Sequence, residues 1–237
     1  MKINQLLDST YSTSFFAEYA TVFVLQVSLY VAAAGMVAAF YKFWLAIGVG
    51  ERIEQRPNYN GQVFGEIRWA LGACAIIAGY VYLSSGFIEE LYPSNRVVAL
   101  VHIFGFVVVY DFYMYLTHKA LHTDVLRKFH ARHHTAISAT PWSCLNMHPV
   151  EALINYLPFL IFAAFSSVSL SVFLGIHAYL LFGIAHGHSN YRLISSDRLP
   201  ALLRELTDFH QKHHTDGRGN FGYLYTHWDW LLGTRHE

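Results

Sequence analysis

Four long apolar stretches constrain the fold of this 237-residue chain more than any other feature. No charged residue lies between Glu18 and Lys42, and that stretch is long enough to cross about 30 Å of hydrocarbon as a helix. A second uncharged stretch covers residues 69–88, and a third begins at Val97 and is interrupted only by Asp111 before the histidine-rich region. Such runs are typical of membrane-spanning helices. We therefore expect an all-α integral membrane protein.

The fourth stretch, residues 152–185, is too long for a single crossing. Its 34 residues would measure roughly 50 Å as one helix. Pro158 and the serine-rich residues 166–169 offer a break, so we predict a helical hairpin. A hairpin also leaves both histidine-rich segments, 118–150 and 186–237, on one side of the bilayer. The expected architecture is a bundle of about three full spans plus the hairpin, with a histidine-rich helical cap.

Composition and charge agree with a membrane class. The chain is 54% hydrophobic and 14% charged, whereas soluble domains carry about a quarter charged residues. The formal net charge is zero, so nothing indicates a nucleic-acid partner. Four basic residues lie in the connection after the first stretch, and the connection at 89–96 has one Arg and two Glu. The positive-inside rule then places the histidines on the cytoplasmic side. The alternative, a soluble helical protein with fully buried helices, requires four such runs.

The histidines form a repeated pattern. The motif HxxHH occurs twice, at His130, His133 and His134 and again at His210, His213 and His214. His118 and His122 lie four residues apart at the end of the third stretch, so both can reach one metal from one helix face. Eight imidazoles exceed the capacity of a single ion, which favours two ions. A ninth ligand is expected from "AHGHSNY", as His186 or His188. Imidazole suits iron, zinc and copper alike.

Asp111 lies on the same helical stripe as Tyr115, His118 and His122. An ionisable residue inside a membrane span is usually functional or paired. We expect its carboxylate to hydrogen-bond a ligand imidazole and fix the tautomer.

Together these motifs resemble the fatty acid hydroxylase superfamily, also called the sterol desaturase family. "DFYMYLTHKALH" resembles its Asp-aromatic…HRxLH helix, with Lys119 in place of Arg, and "NFGYLYTHWDWLLGT" resembles its closing NYxxxxxxWDxxFGT. "HPVE" at His148 and "HSNY" at His188 are similar to HPxE and HSGY of the sterol C4-methyl oxidase-like branch. The second similarity favours His188 over His186. We expect one domain over residues 1–237, with N-terminal spans in 1–100 and the family-like region in 101–237.

The resemblance also suggests roles for residues around the histidines. His148 is a candidate tenth ligand, a hydrogen-bonding neighbour of a ligand, which we rank first, or part of a loop turn. Glu151 is expected to pair with a ligand or to begin a helix. Asp229 of the closing motif is at least as well explained as part of a structural cap. Tyr115 and Trp142 are expected to pack around the site.

What the resemblance implies is a non-haem di-iron enzyme, with zinc an alternative occupant of a purified sample. It would hydroxylate a lipid-like substrate that enters from the bilayer, using dioxygen and a separate electron donor of cytochrome b5, ferredoxin or reductase type. Desaturation on the same site is the alternative reaction. A zinc enzyme without redox chemistry would require a carboxylate base, for which Glu151 is the candidate. A metal transporter would require ligands at mid-membrane, where only His102 and His177 lie.

Overall fold

The computed structural model describes residues 15–193 and 206–236. Within them the chain is mostly helical, with one short two-stranded sheet, which confirms the all-α expectation. The helices, in chain order, are α1 (Phe15–Ala46), α2 (Gln62–Ser85), α3 (Arg96–Leu121), α4 (Arg127–His130), α5 (Pro149–Phe165), α6 (Leu170–Gly187), α7 (Leu206–Asp216) and α8 (His227–Leu231). Two 3-10 helices cover His133–Thr135 and Pro141–Leu145. The histidine-rich segment 186–237 includes residues 194–205, which lie outside the described residues.

Four helices are long and apolar enough to cross a membrane: α1, α2, α3 and α6. Many of their large apolar side chains are exposed, including Phe104 at 67% and Val101 at 63%. Because such surface is unfavourable in water and favourable against lipid, the outward faces suit a bilayer.

The predicted hairpin is formed by α5 and α6. The turn lies at the serines, where Ser167 adopts a positive φ of 43°. Pro158 does not interrupt the helix and lies inside α5. At 17 and 18 residues the two helices measure about 25 and 27 Å, so each is a short leg. The turn is anchored by Leu170, whose backbone N–H donates to the carbonyl of Glu90 in the connection between α2 and α3.

Polar contacts between the helices fix the bundle. Tyr30 of α1 donates through its hydroxyl to the carbonyl of Trp142 at 2.7 Å. Gln26 of α1 and His177 of α6 are buried and hydrogen-bonded at 2.7 Å. Since a buried polar group is costly without a partner, these bonds specify which helix faces meet.

The connection after α1 lies at the histidine end of the bundle. Its short strand β1 (Glu51–Arg52) pairs antiparallel with β2 (Tyr191–Arg192), which follows α6. Arg52 also donates to the hydroxyl of Ser138 at 2.6 Å. The connection at 89–96 lies at the opposite end, against the α5–α6 turn. The two ends of the bundle therefore carry different connections, and the histidine-rich segments share one of them.

Candidate metal centre

Nine histidines meet at one end of the bundle in two adjacent groups. The five-histidine group contains His118, His122, His130, His134 and His213. The four-histidine group contains His133, His188, His210 and His214. In each group the ligand nitrogens lie within 4.8 Å of one another. The structure thus brings together the eight histidines of the repeated motifs and selects His188 as the ninth member.

Four separate parts of the chain supply these side chains. The last turn of α3 and its C-cap provide His118 and His122. The short helices from Arg127 to Thr135 provide the first HxxHH triad, and α7 provides the second. His188 is the C-cap of α6. The site therefore forms only when segments between residues 118 and 214 have folded against one another.

The two HxxHH triads interlock. In each triad the first and last histidines enter one group and the middle histidine enters the other. The first triad sends His130 and His134 to the five-histidine group and His133 to the four-histidine group. The second triad does the reverse, so that its His213 alone joins the five-histidine group. Because residues four apart share a helix face, one repeated motif can serve two neighbouring sites.

The spacing of the nitrogens fits a bound ion in each group. Facing Nε2 atoms lie 3.0–3.2 Å apart in both groups. Two imidazole nitrogens bound to one ion at about 2.0–2.1 Å are separated by roughly 3.0–3.4 Å. Neutral imidazole is a good ligand for iron, zinc and copper. The donor set therefore fits a transition metal in each group.

The hydrogen bonds of His118 and His130 show why a cation is needed. His118 donates through Nδ1 to the carbonyl of Phe221 at 2.9 Å, and His130 donates through Nδ1 to Oε1 of Glu151 at 2.8 Å. With the proton on Nδ1, each neutral ring presents a bare lone pair at Nε2. These two Nε2 atoms face each other at 3.0 Å. Two lone pairs repel at this distance unless a positive charge lies between them.

Burial keeps these imidazoles neutral. It lowers the pKa of His134 and of His188 to about 4. Burial, followed by the neighbouring imidazoles, also lowers the pKa of five others well below the ordinary value: His130, His133, His210, His213 and His214. Since only the unprotonated ring binds a metal, the site favours the ligand form at neutral pH.

Backbone carbonyls of the C-terminal residues 219–235, here called the closing segment, orient two rings of the five-histidine group. Phe221 accepts from His118, and Gly219 accepts from Nδ1 of His213 at 2.7 Å. Gly219 has a φ of 65°, and a Cβ there would collide with the carbonyl oxygen of Thr234. Glycine therefore allows the close turn that aims this carbonyl at the imidazole.

Two buried carboxylates hold the closing segment in place. Asp229 accepts from the backbone N–H groups of Phe221 and Gly222 and from the hydroxyl of Thr234. Asp111 accepts from the backbone N–H of Leu224 and from Nε1 of Trp228, each at 2.9 Å. The expectation that Asp111 hydrogen-bonds a ligand imidazole is therefore wrong. Asp111 precedes His118 by nearly two turns of α3, and its carboxylate contacts the closing segment instead.

Glu151 is in direct contact with the site. Its Oε1 accepts from His130, and the side chain is only 3% exposed. Its second oxygen, Oε2, has no hydrogen-bond partner among the described residues. A carboxylate on the outer nitrogen of an imidazole fixes the ring tautomer and raises its basicity. Glu151 thus does what was expected of Asp111.

A small cavity of about 20 Å³ touches both groups. Histidines of the five-histidine and the four-histidine groups form one side of it. The other side consists of apolar residues such as Met114, Leu121 and Ile184, together with Glu151 and Asn155. This volume holds about one water-sized molecule. The cavity is therefore a small space that adjoins both histidine groups.

Comparison with known proteins agrees with this geometry. The fatty acid hydroxylase family matches residues 103–234, which is more than half of the chain and includes all nine histidines. The chain belongs to the fatty acid hydroxylase family. The resemblance seen in the sequence motifs is thereby confirmed.

Three family relatives are 25–26% identical to this chain over the aligned residues. The very-long-chain aldehyde decarbonylase GL1-5 of Oryza sativa subsp. indica is 26% identical in an alignment that covers 78% of this chain and 30% of the length of the relative. Lathosterol oxidase of Mus musculus is 25% identical over 60% of this chain and 48% of its own. The Delta(7)-sterol 5(6)-desaturase of Eremothecium gossypii is 26% identical over 76% of this chain and 54% of its own. The chain spans about half or less of the length of these relatives. No solved structure matches it.

Two further candidate ligands lie outside both groups of this family member. Nδ1 of His148 accepts from the backbone N–H of Val150 at 3.1 Å and caps α5, so His148 belongs to the loop turn and not to the metal centre. His186 is hydrogen-bonded through Nδ1 to the hydroxyl of Tyr41 at 2.9 Å. In both residues Nδ1 is hydrogen-bonded to a group that belongs to neither histidine group.

The remaining residues singled out in the sequence have structural contacts. Tyr115 is hydrogen-bonded to Thr234 of the closing segment at 2.9 Å, and Trp142 packs on Tyr30. His102 contacts Phe162, and His177 is the buried partner of Gln26 described above. Asn155 was missed in the sequence. Its signal is a lone amide in the otherwise apolar α5, four residues after Glu151.

Proposed function

We propose that this chain is a membrane-bound di-iron oxygenase that hydroxylates a lipid with dioxygen and external electrons. The observation that carries this proposal is the pair of histidine groups with their facing bare nitrogens, placed beside a single small cavity. Family membership supports it, because the names of the relatives include a sterol oxidase and a sterol desaturase. When bound, two iron ions supply an oxidising power that no side chain has.

The protein residues prepare and protect the site. The closing segment and Glu151 fix the proton on Nδ1 of His118 and His130, so that Nε2 faces inward. Apolar walls such as Met114 and Leu121 keep bulk water out of the cavity. The small volume admits dioxygen or one reacting group of the substrate.

A lipid substrate can approach along α3 and α5. An apolar groove of about 460 Å³ lies between these helices on the side that faces the bilayer. Phe106 and Tyr110 line the groove and contact Phe159, with ring centroids 5.0 and 5.4 Å away. Tyr110 also contacts Tyr223 at 5.9 Å, and Tyr223 lines the cavity. The rings of Tyr110 and Tyr223 therefore lie between the groove and the cavity.

Charge supports a cytoplasmic location for the histidine end. The connection after α1 carries Arg52 and Arg56 and lies at that end, as does Lys42 near the end of α1, whereas Glu89 and Glu90 lie at the other end. We infer that the histidines face the cytoplasm, following the positive-inside rule. Electrons would come from a separate soluble or membrane-bound donor on that side.

Desaturation is the second candidate reaction, and the relationship to a Delta(7)-sterol 5(6)-desaturase favours it. Both reactions begin with removal of one hydrogen at the same site. They differ in whether a hydroxyl is added or a second hydrogen is lost, so the product distinguishes them.

The decisive experiment combines metal analysis with lipid analysis. Anaerobically purified protein should hold two iron ions per chain, and cells that express it should accumulate an oxygenated lipid only when dioxygen is present. His213→Ala should abolish both results, whereas the control His186→Ala, outside both groups, should leave them unchanged. One ion or none per chain, or a product formed without dioxygen, would contradict the proposal. A zinc-only protein that hydrolyses lipid would support the non-redox alternative instead.

A further inference from the structure

One wall of the cavity carries two oxygen atoms that no protein group satisfies. Oε2 of Glu151 and Oδ1 of Asn155 are buried, and neither has a hydrogen-bond partner among the described residues. Both residues line the cavity and are only 3% and 4% exposed. They lie four apart on α5, so their side chains share a face of the helix. Buried polar atoms in folded proteins nearly always have a partner, so this pair suggests a ligand.

Both atoms are hydrogen-bond acceptors. Oε1 of Glu151 accepts the Nδ1 proton of His130, which leaves Oε2 as the polar atom of this side chain that remains for a bound group. The amide nitrogen of Asn155 lies 4.0 Å from the sulfur of Met147, which directs the amide oxygen away from it. The wall therefore offers two unpaired oxygens to the cavity, and the amide oxygen of Asn155 can only accept a hydrogen bond.

The surroundings limit what can satisfy these oxygens. The rest of the lining is mostly apolar, with Leu121 and Ile184 among its residues, and it also includes Tyr223 and the histidines. The cavity of about 20 Å³ has room for one water-sized group. A hydroxyl or an amine fits this space, whereas a larger polar headgroup does not.

We propose that Glu151 and Asn155 form a subsite for a hydroxyl or amine group that the lipid substrate carries close to the carbon facing the histidines. This inference rests on the proposed function in taking the bound molecule to be a lipid. A substrate with only an acceptor oxygen, such as an aldehyde or ketone, would place lone pairs against lone pairs. A plain hydrocarbon would leave both protein oxygens unpaired. The subsite therefore selects lipids with a hydrogen-bond donor.

The test compares lipids that differ only in the donor. The full chain is placed in phosphatidylcholine nanodiscs doped with 1-octadecanol or with 1-fluorooctadecane, whose fluorine is close to a hydroxyl in size but donates no hydrogen bond. A second pair is a 3β-hydroxy sterol and its 3β-fluoro analogue. The rise in unfolding temperature with lipid fraction gives the apparent affinity. We expect the hydroxylated member of at least one pair to bind about 10-fold more tightly, since a buried acceptor left without a hydrogen bond is costly. Equal affinity or no binding in both pairs overturns the proposal and leaves the oxygens to an internal water.

Variants of Asn155 connect the preference to this wall. Asn155→Leu removes the acceptor at similar size and should reduce the preference to about 3-fold or less. Asn155→Asp keeps an oxygen and should retain it. Met114→Leu changes another residue of the cavity without removing an oxygen acceptor and serves as the matched control. An unchanged preference in Asn155→Leu contradicts the assignment, and the two wild-type titrations remain decisive if that variant does not fold.

The measurement separates this inference from the proposed function because it requires neither dioxygen nor turnover. A hydroxyl preference in a protein that never oxidises lipid would refute the oxygenase and leave the subsite in place. An oxidised product from a protein without the hydroxyl preference would support the oxygenase and refute the subsite.

Discussion

Replacement of Asp111 by alanine provides the sharpest test of how the metal centre is held. The carboxylate is 1% exposed and accepts two hydrogen bonds from the closing segment, from Leu224 N–H and Trp228 Nε1–H. The same segment carries the carbonyl of Phe221 that orients His118. Asp111→Ala should therefore loosen the closing segment and, through it, the five-histidine group.

The magnitude follows from the two donors that lose their acceptor. The N–H of Leu224 is buried and would cost about 1–3 kcal/mol unpaired, and the partly exposed indole N–H would cost less. We expect a loss of about 2–4 kcal/mol in the free energy of unfolding. For a chain of this size that corresponds to a drop of roughly 5–15 °C in unfolding temperature. Asp111→Asn keeps one acceptor oxygen and should lose about half as much.

Two measurements check the prediction: the unfolding temperature in detergent, and the metal retained after dialysis against a chelator. Metal affinity should fall at least about 10-fold in Asp111→Ala at temperatures where the protein is still folded, as expected when support for a ligand is lost. Tyr179→Phe is the matched control, since it removes an exposed hydrogen bond of 2.7 Å to Tyr225 of the same segment and should change little. An Asp111→Ala protein within about 2 °C of the wild type, with full metal content, would refute the role of the closing segment.

Three further predictions concern the metal centre. Glu151→Ala should weaken metal binding about 10- to 100-fold in a chelator competition, because His130 loses the acceptor that fixes its tautomer; unchanged affinity would exclude that role. His188→Ala should remove a metal ion in elemental analysis while His186→Ala should not, since only His188 belongs to the four-histidine group; equal metal loss would show that the two residues are wrongly distinguished. In the metal-free protein the unfolding temperature should be constant above about pH 7 and should fall between pH 6.5 and 4. Burial holds the pKa of His134 and His188 in the folded protein at about 4, so the unfolded chain binds protons first as the pH falls. An unfolding temperature that rises on acidification would contradict this sign.

Local sequence patterns predicted the helical part of the fold well. Runs of uncharged residues located α1, α2 and α3, and the length of the fourth run required the hairpin of α5 and α6. These features could be predicted because hydrocarbon thickness sets helix length and because unpaired backbone groups are excluded from lipid. The place of the turn was less certain, since Pro158 is accommodated inside α5 and only the serines interrupt the helix.

The identity of the histidines was also available from the sequence, because spacings of three and four residues fix which side chains share a helix face. The hydrogen-bond partners of the side chains around them were not available from the sequence. Asp111 was placed on the correct stripe of α3 but assigned to an imidazole, and its actual partners lie more than 110 residues later, at Leu224 and Trp228. His148 and Glu151 are close in sequence, yet one caps α5 and the other contacts His130.

The sequence by itself thus determined the number of spans, the ligand set and the end of the bundle at which the ligands gather. Only the tertiary structure decided how the two triads interlock, which carbonyls hold the rings, and that Asn155 joins Glu151 beside the cavity. The physical reason is one of range. Helix periodicity and hydrophobic length act over a few residues and can be seen in the sequence, whereas the pairing of buried polar groups depends on which distant segments the packed bundle brings together.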